Sequence, residues 1–212
     1  MRIEILNTDH GHPINPYLRR LGRKLELEHS VSIVRSQREV TNGDFLFLVS
    51  CNEILGSDVF KNFKHAMVLH ASDLPKGRGW SPHIWEILNG AEQITVSLLD
   101  AAAAVDCGDI YKKITIDIPK SALWDEINDL LFVAEIQLIE FAIENCDNLQ
   151  KFVQDLNVEA TFYPKRNPKD SEIDPNKSIN EQFDLIRVCD PNRFPALFHH
   201  RGKSYKIILE KL

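Results

Sequence analysis

Cysteine is sparse and scattered in this chain. Only four occur in 212 residues, at Cys51, Cys107, Cys146 and Cys189. With no C-x-x-C pair and no histidine at ligand spacing, the pattern excludes a zinc ribbon and a disulfide framework and leads us to expect reduced thiols and no metal. No apolar run approaches the roughly 20 residues that cross a bilayer. The opening stretch MRIEILNTDHGHP lacks the hydrophobic core of a signal peptide, so a soluble, cytoplasmic protein without a membrane partner is expected. Positive charge is also short, with 25 Lys and Arg against 31 Asp and Glu and a net charge of −6. That balance argues against a mainly electrostatic nucleic-acid binder, because neutralising phosphates takes a basic surface. Neither a G-x-G-x-x-G nor a P-loop is present, so a nicotinamide or ATP site is not expected. The chain contains no internal repeat and no low-complexity segment.

What is present is a moderately apolar chain, 43% hydrophobic and 26% charged, long enough for one compact domain with a small appendage. RIEIL (residues 2–6) alternates as a strand. A polar loop, NTDHGHPINP, separates it from a segment with Leu18, Leu21 and Leu25 at helical spacing. SVSIVRS (30–36) alternates again. DFLFLVS (44–50) and AMVLH (66–70) are nearly continuous apolar runs of the kind buried on both faces. Strands alternating with helical patterns predict an α/β fold with a parallel sheet and crossover helices. QITVSLLD and GDIYKKITIDI read as further strands, and SALWDEINDLLFVAEIQLIEFAIEN as a long amphipathic helix. Beyond a charged, proline-punctuated stretch, FPALFHHRGKSYKIIL predicts a hairpin turning at Arg201-Gly202-Lys203.

The segment HASDLPKGRGWSPHIWEILNG (70–90) is the most informative. In open parallel sheets ligands sit outside the carboxyl ends of strands, which is where His70 falls. Taken alone, a histidine there also fits a strand cap without chemistry. Together with ITVSLLDAAAAVDCGDIY, however, the segment resembles the 10-formyltetrahydrofolate-dependent formyltransferases. They carry an H-x-S-x-L-P loop, a G-x-x-P helix start and a D-x-G-D-I loop in this order, and the resemblance runs from about Asp44 to the C-terminus. It implies a Rossmann-like, mostly parallel twisted sheet flanked by helices, with 10-formyltetrahydrofolate as cofactor.

The resemblance also implies site residues. His70 matches the family's catalytic histidine and Asp106 the aspartate that pairs with it. The family's third catalytic residue, an asparagine two positions before the histidine, is Val68 here. Asn52 is a candidate replacement by location, although a turn residue is the plainer reading. Ser50, Cys51, Asn52, Ile54 and Leu55 match the pterin-pocket region, faced by Asp100, Ala101, Ala102, Val105 and Asp106. Ser72, Asp73, Lys76 and Arg78 lie on the loop after His70 as candidate substrate contacts, its two cations suiting an anionic ligand, though exposed loop cations are more often simply solvated. Pro75, Gly77 and Gly79 allow that loop's tight turns. His10, His12 and Asn15, on the loop after the first strand, are candidates for contacting a substrate phosphate or carboxylate. Trp80 and Trp85 read as core residues.

The expected organisation is a catalytic domain over residues 1–155 and a helix and hairpin subdomain over 156–212. Phe183, Leu185, Ile186, Phe198 and Ile207 of the latter need apolar cover. A methionyl-tRNA enzyme is expected to carry a longer basic C-terminal domain, so the leading expectation is a small-molecule acceptor: the amine of a nucleotide-linked amino sugar used for surface glycans. No nucleic-acid partner is expected, and a homodimer is allowed. The alternatives are another amine acceptor (methionyl-tRNA or a purine precursor), a 10-formyltetrahydrofolate hydrolase, and a degenerate folate-binding module.

Overall fold

A computed structural model describes residues 1–212. In chain order the elements are β1 (Arg2–Leu6), α1 (Asn15–Leu25), β2 (Ser30–Val34), β3 (Gly43–Leu48), α2 (Ser57–Phe60), β4 (Phe63–His70), β5 (Arg78–Gly79), α3 (Pro82–Leu88), β6 (Gln93–Asp100), β7 (Ile110–Asp117), α4 (Trp124–Glu144), β8 (Phe162–Tyr163), α5 (Phe183–Arg187), β9 (Ala196–His200) and β10 (Lys203–Ile207). Six strands form the central sheet in the order β2-β1-β3-β4-β6-β7. The first four pair in parallel, as the alternation of strands with helical segments predicts. β6 and β7 pair antiparallel at the other edge. β6 alone runs against the first four strands, and β7, antiparallel to β6, runs in their direction again.

Period-two alternation divides the sheet's side chains between two faces. Ile3, Ile5, Phe45, Phe47, Met67, Leu69, Val96 and Leu98 form one face, packed under Leu18, Leu21 and Leu25 of α1 and Leu131, Leu138 and Ile139 of α4. Each such buried side chain contributes about 1.5–3 kcal/mol. Pro16 in its first turn and Arg23 and Lys24 in its last favour α1 locally. α4 starts where the Glu126 carboxylate accepts the Leu123 N–H at 2.8 Å. Leu6, Leu46, Leu48 and Ala66 point the other way and pack with Leu55 and Phe63. Val68 lies on that second face, and so, two residues further along β4, does His70.

After α4 the chain crosses back over the sheet edge, where Phe152 exchanges backbone hydrogen bonds with Ile110. β8 then pairs with β5, a short ladder the sequence did not announce. Arg187 of α5 is 3% exposed and donates to the carbonyls of Pro119 and Ala122 near the start of α4. Leu185, Ile186, Phe198 and Ile207 share a small core with Ile173, Cys189 and Ala196, whereas Phe183 is half-buried outside it. The β9–β10 hairpin turns at Arg201 and Gly202, both left-handed, and Lys203 opens β10.

Candidate active site

His70 is the last residue of β4 and its side chain is 8% exposed, that of Asp106 7%. Nδ1 lies 3.5 Å from Asp106 Oδ1, a charge-pairing separation longer than a hydrogen bond. Nε2 is 2.9 Å from the Gly77 carbonyl oxygen. Thus both ring nitrogens face oxygen acceptors, one on the loop after β4 and the other on the loop after β6. Those loops are tied directly as well, because the Gly79 N–H donates to Asp106 Oδ2 at 2.9 Å. Gly79 is left-handed (φ 97°) and a Cβ there would lie 2.4 Å from the Tyr163 carbonyl oxygen. Glycine at this position lets three segments converge on the pair.

Register places the flanking loops. Leu48 of β3 lies opposite Val68, so Ser50 falls level with His70, and it too is left-handed (φ 49°). Asp106 has φ 55°. Non-glycine residues hold this conformation when their surroundings over-determine it, which is common at functional sites. Cys51 is half-buried; Asn52 is exposed, with its backbone N–H bonded to Thr8 Oγ1 at 2.8 Å. Ile54 and Val105 are 78% and 54% exposed, whereas Leu55 at 4% belongs to the core. Ala101 is half-buried and Ala102 exposed. Asp100 is already engaged by the Tyr111 hydroxyl at 2.9 Å and by Lys151.

The candidate substrate residues separate into three situations. Lys76 and His10 are exposed. Asp73 is exposed and ion-paired with Lys113 at 2.6 Å. Ser72 is fully buried with its hydroxyl unpartnered, and Asn15 is 3% exposed, its amide nitrogen donating to the carbonyls of Asp9, His10 and His12. Both side chains thus turn inward, and Asn15 orders its own loop. Arg78 also points inward, donating to Gln154 at 2.7 Å and covering the Phe162 ring.

Several ionisable groups gather around this centre. Burial, with the charge of Arg193, lowers His12 to about 4. Burial also lowers His83 to about 3, helped by the charges of His12, His70 and Arg166, and its Nδ1 has no partner. Both rings are therefore neutral at pH 7. Glu86 lies behind the loop after β4, where a Cβ on Gly77 would meet its Oε1 at 3.1 Å, and burial followed by the charge of Asp73 raises it to about 7.

Trp80 and Trp85 are not core residues. Trp80 is 38% exposed beneath the Lys165 ammonium, 4.6 Å from its ring centre. Trp85 stacks on Tyr163 with ring centres 6.1 Å apart, donates to the Pro164 carbonyl at 3.1 Å, and has the Arg166 guanidinium 5.9 Å from its ring. The segment after β8 supplies the cations, which a reading of local pattern could not bring to the indoles. Beside the loop that carries Gly77 and Gly79 there is thus an aromatic surface edged with positive charge.

Together these features define an α/β domain with a buried histidine–aspartate pair at the carboxyl end of a central strand. The family model described as formyl transferase matches residues 26–143, more than half of the sequence, and the chain belongs to that family. A methionyl-tRNA formyltransferase from Clostridium beijerinckii is 30% identical over 79% of this chain and 54% of its own length. The chain spans about half the length of the curated relatives it matches. Among solved structures, HypX from Aquifex aeolicus in complex with tetrahydrofolic acid superposes with a TM-score of 0.80 at 21% identity, covering 96% of this chain and 36% of that one. A sugar N-formyltransferase from a Shewanella species gives 0.71 at 16% identity, covering 99% and 97%. At these identities the two structures support the fold alone.

Proposed function

We propose that this chain transfers a formyl group from 10-formyltetrahydrofolate to the amine of a nucleotide-linked amino sugar. The observation that carries the transfer chemistry is the buried His70–Asp106 pair. Formyl transfer needs a neutral attacking amine, stabilisation of the developing oxyanion and a proton for the departing folate nitrogen. In this reading His70 takes the proton from the amine as its nitrogen bonds to the formyl carbon, and returns it to the folate nitrogen as that carbon–nitrogen bond breaks. Asp106 holds the imidazole in register through both steps. Bound folate supplies the activated one-carbon unit. Its pterin suits the two loops that flank His70, where exposed Ile54 and Val105 offer apolar surface and the backbone of residues 50–55 and 100–106 offers hydrogen-bonding groups. Asn52, exposed two residues beyond Ser50, is the side-chain amide on this loop available to the formyl oxygen in place of the family's asparagine.

The aromatic and basic surface of Trp80, Trp85, Tyr163, Lys165 and Arg166 supports a nucleotide-linked acceptor, since bases stack on indole and phenol rings and cations pair with phosphates. Methionyl-tRNA is the second reading, favoured by the sequence relatives. Release of tetrahydrofolate from 10-formyltetrahydrofolate should be followed alone, with a nucleotide-linked 4-amino sugar, and with methionyl-tRNA. Release that depends on the amino sugar is expected. Acceptor-independent release would indicate a hydrolase, release only with methionyl-tRNA would select the second reading, and no release under any condition would leave a folate-binding module.

A further inference from the structure

Gln154 lies in the polar stretch after α4, and no motif in the sequence marks it. In the fold it is 5% exposed and joins both loops of the His70–Asp106 pair. Its Nε2 donates to the Asp106 carbonyl at 2.8 Å and to the Gly108 carbonyl at 2.9 Å. Its Oε1 accepts from Arg78 Nη2 at 2.7 Å. The paired backbone hydrogen bonds between Phe152 and Ile110, at 2.8 and 3.0 Å, deliver the residue to this position.

The two carbonyls bracket Cys107, at the turn where Asp106 is left-handed. One amide nitrogen thus collects both ends of the turn that aims the Asp106 carboxylate at His70. Meanwhile its oxygen holds the loop whose Gly77 carbonyl meets the other ring nitrogen. We infer that Gln154 is a positioning residue, fixing the 106–108 turn and through it the separation of Asp106 from His70. Glutamine is suited to this because an amide donates twice from one end and accepts at the other. A carboxylate of the same size keeps the acceptor for Arg78 and sets a negative oxygen against two carbonyls.

The catalytic consequence rests on the formyl-transfer reading; the positional one does not. Gln154→Glu, Gln154→Asn and Asp106→Asn should be compared with the parent full-length chain by kinetics and by NMR of the His70 ring nitrogens without folate. For Gln154→Glu we expect kcat to fall about 10²-fold, the loss typical of a small misplacement of reacting groups, with KM for 10-formyltetrahydrofolate nearly unchanged. The His70 ring resonances should move in the direction seen for Asp106→Asn. Should Gln154→Glu not fold, Gln154→Asn, whose amide is one methylene shorter, is read by the same signature. A folded variant with parent-like His70 resonances and kcat overturns the inference whatever its melting temperature. An inactive parent would refute the formyl-transfer reading, while the ring resonances would still decide the role of Gln154.

Discussion

Gly108 packs against the backbone of Asp100 so tightly that a Cβ on it would lie 1.8 Å from the Asp100 carbonyl oxygen and 2.7 Å from the carbonyl carbon. The obstruction is backbone, fixed in turn by the Asp100 N–H bonding to the Asp109 carbonyl at 2.8 Å, so no side-chain rotation relieves it. Gly108→Ala should therefore push the 101–109 loop outward and cost about 3 kcal/mol, at the upper end for overpacking. Thermal unfolding checks the cost, and activity should fall with it because Asp106 is on the displaced loop. An alanine variant of parent-like stability and rate would contradict this packing.

Val68 is half-buried between two apolar clusters, one with Leu48 and Leu55 and the other with Leu74 and Leu99. Restoring the family's amide with Val68→Asn removes that packing and leaves a polar group without an assigned partner, at a cost of about 1–3 kcal/mol. Little gain in single-turnover formyl transfer is expected, on the proposal that Asn52 or a backbone N–H already serves the formyl oxygen. Asn52→Ala alone and combined with Val68→Asn completes the comparison. A large rate gain from Val68→Asn with Asn52→Ala silent would contradict that compensation.

Glu135 sits on the buried face of α4, 5% exposed, and its Oε2 has no hydrogen-bond partner. Burial raises its pKa from 4.5 to about 8. Between those values the folded state holds a proton that the unfolded state releases, so this group's contribution to stability is full below pH 4.5 and is lost as pH rises toward 8. Glu135→Gln stays neutral throughout. Its melting temperature should match the parent at pH 4 and exceed it increasingly up to pH 9, by about 2–4 °C for each kcal/mol recovered. A difference that is constant across pH would contradict the neutral, buried carboxyl.

The parallel half of the sheet was legible because DFLFLVS and AMVLH are continuous apolar runs, and His70 was legible because it ends one of them. The hairpin followed from Arg201-Gly202. The antiparallel edge was not legible: QITVSLLD and GDIYKKITIDI read as strands, but their patterns carry no sign of direction. Gln154 and Glu86 were missed because their significance lies in contacts across the fold, with Asp106, Gly108 and Arg78 for one and the Gly77 loop for the other. Asn15 and Arg78 had the right chemistry for an anion but turn inward to neighbouring oxygens. Trp80 and Trp85 were misread as core because the cations above them arrive from residues 165 and 166.

The most direct measurement is single-turnover release of tetrahydrofolate from 10-formyltetrahydrofolate with a nucleotide-linked 4-amino sugar present, comparing the parent chain with His70→Ala and Asp106→Asn. Both variants should fold, and His70→Ala should slow transfer about 10²- to 10⁴-fold, the share carried by a positioned acid–base group. Asp106→Asn should slow it while leaving folate affinity near the parent's. A folded His70→Ala protein that transfers formyl at the parent rate would contradict the account.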